Sequence, residues 1–323
     1  MKKIYNLLIL LIVIQNSSCI IEKVNEKDFH TDDIEDIDKI IMHDKSGKSI
    51  YLEKKENIWF INNKYKVWSE QINYTLSVIK DIRIKSSVPE SNIEFVIKNI
   101  ATSGVKVEIF KKNKKIKGYY IGGNTKDFLG TYMIMENAKS PYILHIPDRP
   151  PGILNPKYGI EGILLNENIW RKPLLINYDK EEILNIHIKD LQDSTQSFYI
   201  DLIKKEILNY QMDLQKFNKK ILTYWENSFS NLQCGPYKPN LDKNDFNLIK
   251  SIYISTEQKT DTLNIYEKNQ EQNNKKEFYS SVEFMYADLN NSELVIIQKN
   301  IFNKVLINLD EFLKIKVMNN NQL

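Results

Sequence analysis

Four histidines, two cysteines and one glycine-rich run are the parts of this 323-residue chain with the makings of chemistry. His30, His43, His145 and His187 fall singly, without the close spacing that paired metal ligands show. His43 and His187 lie on or near outward strand positions. His145 precedes Ile146 and Pro147 at a strand end, where a structural hydrogen bond to Asp148 is expected ahead of base catalysis. Cys234 stands before Gly235 and Pro236 with no histidine nearby and reads as a loop or core thiol. No Gly-x-Ser-x-Gly elbow is present. The adjacent pairs Asp32-Asp33 and Glu181-Glu182 belong to charged surface runs, which does not make an acid and base couple. The expectation is therefore a non-enzymatic chain with no catalytic residue, no metal ligand and no cofactor.

Two constellations remain as candidate binding residues. The first is the run holding Gly122, Gly123, Thr125, Asp127, Gly130 and Tyr132, a candidate ligand or partner loop. Its glycines let a loop fold back, while Asn124, Thr125 and Asp127 can bond to its own backbone. Open backbone donors would also suit an anion, but the lysine and helix start of a phosphate loop are missing, so a self-satisfied loop is favoured. The second is Trp170 with Arg171, at the end of a crossing dense in proline and glycine from Pro147 to Gly162. That crossing reads as a stiff interdomain strap, with Arg149-Pro150-Pro151 as a possible docking segment. The indole is expected to plug the domain junction and the guanidinium to bond nearby carbonyls.

The elements that must position these residues begin after an export signal. Lys2 and Lys3, an apolar core over residues 7–14 and Asn16-Ser17-Ser18 before Cys19 make residues 1–18 a signal peptide too short to span a bilayer. The small residues before Cys19 resemble the lipobox at which bacterial lipoproteins are cut and acylated, with Asn16 where leucine is usual. Cys19 is thus the expected lipidation site and the lipid membrane the first expected partner; acyl chains hold stably when more than one is present. The formal charge of +3 falls to roughly +1 once Lys2 and Lys3 leave, so there is no general field for nucleic acid. Residues 19–36, acidic and poor in apolar side chains, read as a flexible tether, and residues 316–323 as a polar tail.

Between these ends the chain repeats itself. Residues 37–44 and 183–190 align without a gap, placing Ile37, Ile40 and Met42 over Ile183, Ile186 and Ile188. Each opening is followed by two more runs of period two, residues 50–52 and 58–61 in one half and 198–202 and 207–210 in the other. Apolar residues at helical spacing come next, Ile72, Leu76, Ile79 and Ile82 against Phe217, Ile221, Trp225, Phe229 and Leu232. The first half adds a helix near residues 90–101, ending at Gly104 as a left-handed terminus. Residues 131–146 and 283–298 then form matching hairpins around polar turns. The class is α+β, with two tandem similar units over 37–171 and 172–315, each a mostly antiparallel sheet packed by one or two helices.

Ile58-Trp59, the helix over 68–83, residues 85–89, the glycine run 122–133, His145-Ile146-Pro147 and Trp170-Arg171 together resemble the bacterial lipoprotein family catalogued as domain of unknown function 4340. The resemblance covers the first half of the mature chain. It implies an extracytoplasmic α+β module, sometimes found beside transport or gliding machinery, and carries over no catalytic residue. The expectation is a membrane-anchored scaffold or binding subunit of an envelope complex, lipid-anchored and placed at the outer membrane, with other envelope proteins as partners. The alternative is a small-molecule, glycan or lipid-binding protein, or an unrecognised hydrolase, with its site between the two units.

Overall fold

The computed structural model describes residues 25–216, 222, 227–268 and 283–314. Cys19, the signal peptide and the tail 316–323 lie outside the described residues, as do Phe217, Ile221, Trp225 and residues 269–276. The chain divides into two compact units, Met1–Lys172 and Pro173–Leu323, and each has an antiparallel sheet with its own core.

The first unit starts with β1 (Lys39–His43), β2 (Ser49–Lys55), β3 (Ile58–Ile61) and β4 (Tyr65–Lys66), a meander with tight turns. Two turns carry paired left-handed residues, Glu56-Asn57 and Asn62-Asn63, the backbone that two-residue hairpins need to match strand twist. Helix α1 (Ser69–Asp81), β5 (Arg83–Ser87), α2 (Glu90–Ser103), β6 (Val105–Lys111), β7 (Lys114–Asn124), β8 (Thr131–Met135) and β9 (Tyr142–His145) follow. The sheet order is β4-β3-β2-β1-β6-β7-β8-β9-β5. Helix α1 turns Ile72, Leu76, Val78 and Ile79 onto one face of the sheet, where Ile40, Met42, Leu52, Val107 and Ile109 alternate inward. Helix α2 covers the opposite face with Val96 and Ile100, against Tyr120, Tyr132, Ile134 and Ile143. Gly104 closes α2 at φ −71°, extended and not left-handed as its position suggested. What demands glycine there is closeness, because a β-carbon would lie 2.4 Å from the Ile100 carbonyl oxygen.

The tether reading fails from residue 25 onward. Phe29 is buried at 1% exposure and packs against Tyr119 and Tyr142, while Lys117 holds the Asp28 carboxylate at 2.7 Å. One aromatic side chain in an acidic run is enough to dock it, since burying a phenylalanine is worth about 1.5–3 kcal/mol.

The second unit runs β12 (Leu174–Ile176), β13 (Asn185–Asp190), β14 (Phe198–Asp201), β15 (Glu206–Asn209), β16 (Leu232–Gln233), β17 (Tyr237–Lys238), β18 (Phe246–Ser255), β19 (Thr260–Lys268), β20 (Phe284–Leu289) and β21 (Leu294–Gln298). Two short helices, α3 (Lys299–Leu306) and α4 (Leu309–Lys314), complete it. Its sheet order, β15-β14-β13-β18-β19-β20-β21-β17, repeats that of the first unit strand for strand apart from β4. The six aligned residues Ile37, Ile40, Met42, Ile183, Ile186 and Ile188 are all buried. Phe229 and Leu232 are buried as well, Phe229 in a short 3-10 turn and Leu232 in β16 instead of on a helix. Cys234 packs in this core, as a core thiol should.

Candidate functional site

The glycine run is half strand and half turn. Gly122 and Gly123 lie near the end of strand β7, with φ in the ordinary range, and the loop proper spans only residues 125–130. Gly122 lies under α2, where a β-carbon would come within 2.6 Å of Ile100 Cγ1 and 3.0 Å of the Tyr132 carbonyl oxygen. Gly130 is pressed in the same way, 2.6 Å from Ile143 Cγ2, whereas Gly123 faces open space. These glycines admit close packing of helix on sheet. None of the three adopts left-handed backbone.

The loop is closed by its own polar groups. Thr125 N–H donates to the Gly130 carbonyl at 3.0 Å and Phe128 N–H to the Thr125 carbonyl at 3.0 Å. Thr125 Oγ1 donates to Asp127 Oδ1 at 2.5 Å, and the Leu129 N–H donates to the same oxygen at 3.0 Å. The Thr125 hydroxyl, first, and the Leu129 N–H hold the Asp127 carboxyl below its ordinary range. Lys85 Nζ donates to the Leu129 carbonyl at 3.3 Å and pins the loop to β5. Beside the exposed Lys126 and Asp127 the loop displays two apolar side chains: Phe128 is 64% exposed and Leu129 39% exposed. Phe128 sits at φ +57°, a backbone that bulky side chains rarely adopt. Tyr132 is turned away from the tip and packs beneath α2.

The same motif clamps the proline-rich crossing. Asn155 Nδ2 donates to the Gly122 carbonyl at 2.9 Å, and the buried Thr131 hydroxyl accepts from Leu154 N–H at 2.9 Å. The crossing then forms a 3-10 turn (Asn155–Tyr158), whose Tyr158 hydroxyl meets that of Tyr119 at 2.9 Å in the core. Burial pushes both phenols upward. After Gly159, at φ +68°, comes a small hairpin of β10 (Ile160–Glu161) and β11 (Leu164–Leu165). Asp44, itself buried, accepts Leu165 N–H at 3.0 Å along with Ser46 and Lys48 N–H groups.

Trp170 is fully buried, and it belongs to the core of the first unit with Leu154, Tyr158, Ile160 and Leu165. Its indole lies over Gly159, where a β-carbon would come within 2.5 Å of Nε1, and its carbonyl accepts Trp68 N–H at 2.8 Å. The residue expected as a junction plug is thus a core residue. Arg171 stacks its guanidinium 3.7 Å from the centre of the Tyr65 ring. The crossing is a strap around the first unit.

The histidines stay apart. His43 Nδ1 bonds Ser49 Oγ at 2.7 Å. His187 stacks on Tyr253 at 5.5 Å, and burial, helped by Lys189, lowers its pKa. Among the described residues no hydrogen bond or ion pair joins His145 to Asp148, and no group of three acidic, histidine or cysteine residues could hold a metal. The densest charge cluster is Lys106, Lys115, Glu108 and Glu136, with contacts of 2.7–3.1 Å on the outward face of β6–β7. Burial raises the two carboxyls, but the lysines outweigh it and hold both below their ordinary range. Opposite charges that satisfy one another in this way leave no unpaired base to take a proton.

The sequence reading missed Phe128 and Leu129, although both lie inside its own motif. The available signal was two large apolar residues between a turn-forming Asp127 and a packed Gly130. The turn that Asp44 makes with Ser46 and Lys48 is local, but nothing in local pattern marked its bond to Leu165 N–H or that of Asn155 to the Gly122 carbonyl, which join residues 121 and 33 positions apart. Comparison with protein-family models, with curated proteins and with solved structures finds no match to this chain.

Proposed function

We propose that the chain is a non-enzymatic, lipid-anchored lipoprotein of the bacterial envelope, akin to the family of domain of unknown function 4340, acting as a binding subunit of an envelope complex. One observation carries the docking half of this reading: a rigidly braced loop spends backbone strain to hold Phe128 in solvent beside Leu129. Strain of this kind, of order 1–3 kcal/mol, persists where surrounding structure over-determines it and clusters at ligand clamps. A rigid exposed aromatic is also the usual anchor of a protein interface. The anchoring half rests on Cys19 and the stretch before it.

Crosslinking in intact cells followed by capture of the chain from membranes tests both halves. Phe128→Asp should abolish capture of envelope proteins with the chain still in the membrane. Cys19→Ala should release the chain from the membrane. Unchanged capture after Phe128→Asp would sink the docking role, and a membrane-bound Cys19→Ala chain the anchor.

A further inference from the structure

The segment that follows Cys19 joins the first sheet at one end. Glu26 Oε1 accepts the Lys139 N–H at 2.9 Å in the turn between β8 and β9, Asp28 pairs with Lys117, and Phe29 packs against Tyr142 at the start of β9. Farther along, Asp36 pairs with Lys111, and Asp38 Oδ2 accepts the Lys112 N–H at 2.6 Å at the tip of the β6–β7 hairpin. Register puts both turns at the same end, because Tyr119 of β7 faces Met135 of β8 and the antiparallel strands run on from there to Lys114 and Glu136. The Phe128 loop precedes β8 and so lies at the other end. The five residues of β8 separate it from the β8–β9 turn by about 16 Å, at a rise of about 3.3 Å each.

Asn25, the first described residue, stands six positions after Cys19, and six residues reach at most about 22 Å when fully extended. With Cys19 in the bilayer, the end of the sheet that carries both turns is kept near the headgroups. The exposed residues at these turns are polar, Asn137 and Lys139 in one and Lys112, Asn113 and Lys114 in the other. The opposite end displays Phe128 and Leu129, and exposed apolar groups of this kind suit a bilayer as well as a protein. For that loop to reach lipid, however, the unit would have to invert. The six residues would then have to stretch along the length of β8, which takes up most of their reach and their conformational freedom.

We propose that the first unit stands on the membrane through its β8–β9 turn and β6–β7 tip, against phospholipid headgroups, with the Phe128 loop held on the far side and clear of lipid. This inference rests on the lipid anchor proposed above and specifies which end of the unit meets the bilayer.

The test uses the acylated full chain in phosphatidylcholine–phosphatidylglycerol vesicles whose headgroups carry a nitroxide. A bimane fluorophore is attached at Lys139→Cys in one sample and at Lys126→Cys in another, both exposed positions, with the parent chain as the blank for the buried Cys234. Quenching should be several-fold stronger at Lys139→Cys than at Lys126→Cys. A Gly-Ser linker of about twenty residues inserted between Val24 and Asn25, long enough to span β8, should even out the two signals while the chain stays bound. Vesicle-bound chain with equal quenching at both sites, or stronger quenching at Lys126→Cys, would overturn the orientation and leave the anchor standing. A linker variant that keeps the full original bias would also overturn it, because the short connection would then not be what sets it. Chain left in solution, with neither label quenched, would remove the anchor and the orientation together.

Discussion

The two units share a strand order and differ in what closes them. After the last hairpin the first unit continues into the strap, which buries Leu154, Tyr158, Ile160, Leu165 and Trp170 in its core. At the same point the second unit continues into α3 and α4, which bury Phe302, Val305, Leu309 and Phe312 in its own. The opposite faces diverge too. In the first unit α2 roofs β7–β9, whereas the equivalent face of β19–β21 is finished by a cluster of Phe246, Tyr266, Tyr286, Leu294 and Ile296 with a polar network beside it. There the fully buried Asp288 accepts from Lys243 at 2.7 Å, from the Tyr266 hydroxyl at 2.7 Å and from Asn264 at 3.3 Å. The sheet is therefore the repeated invention and its coverings are the variable ones. Covering segments are where the two units can have acquired different tasks.

The sharpest way to break this comparison is to treat the coverings as ornaments. If strap and terminal helices are true core elements, Trp170→Ala and Phe312→Ala should each cost about 3–5 kcal/mol. Segment-resolved hydrogen exchange on the full chain should show protection lost in β1–β9 for the first and in β13–β21 for the second. Less than a tenfold fall in β1–β9 after Trp170→Ala would mean that the strap merely lies on the surface.

A smaller effect concerns how the strap is locked. Burial pushes the Asp44 carboxyl up, but the N–H groups of Leu165, Ser46 and Lys48 and the Ser46 hydroxyl outweigh it and hold the group below its ordinary value of 3.8. A carboxyl depressed in the folded state stabilises fully above that ordinary value, and the contribution is lost as pH falls through the folded one. Exchange protection of the β10–β11 hairpin should therefore drop in acid before that of β1–β9. Asp44→Ala should abolish this pH step and cost about 1–3 kcal/mol, since it strands the buried Leu165 N–H that a charge had satisfied. Protection of β10–β11 that is flat from neutrality down to pH ~3 would place the lock elsewhere.

How much of this was legible in sequence follows from the range of the interactions. Ile37, Ile40 and Met42 declare a half-buried strand by alternation alone, and their counterparts from Ile183 onward do the same, so the duplicated sheet could be read from local pattern. Helix α1 announced itself by its stripe. Phe29 and Trp170 were misplaced for the opposite reason: single aromatic residues in polar or proline-rich surroundings have no period, and only the distant residues they meet, Tyr119 and Tyr142 or Gly159, decide where they go. In the glycine run the self-bonding of Thr125 and Asp127 was legible, whereas the close packing served by Gly122 and Gly130 was not, because glycine for a turn and glycine for close packing look alike in a string of letters.

The smallest predicted effect separates strain from chance at the candidate loop. Left-handed residues elsewhere in the chain are mostly asparagine, which tolerates that backbone, whereas Phe128 and Met212 are the large apolar exceptions, both strongly exposed. For an L-residue the left-handed backbone costs roughly 1–2 kcal/mol relative to glycine, partly offset by the freedom glycine gains in the unfolded chain. Phe128→Gly should therefore raise stability by up to about 1 kcal/mol, read as a higher melting temperature, while partner capture falls. A gain in one property set against a loss in the other is what a position kept for binding at the expense of folding requires. If the glycine variant is instead less stable, the ring contributes to the loop's own packing, and the left-handed backbone at Phe128 is kept for structural reasons alone.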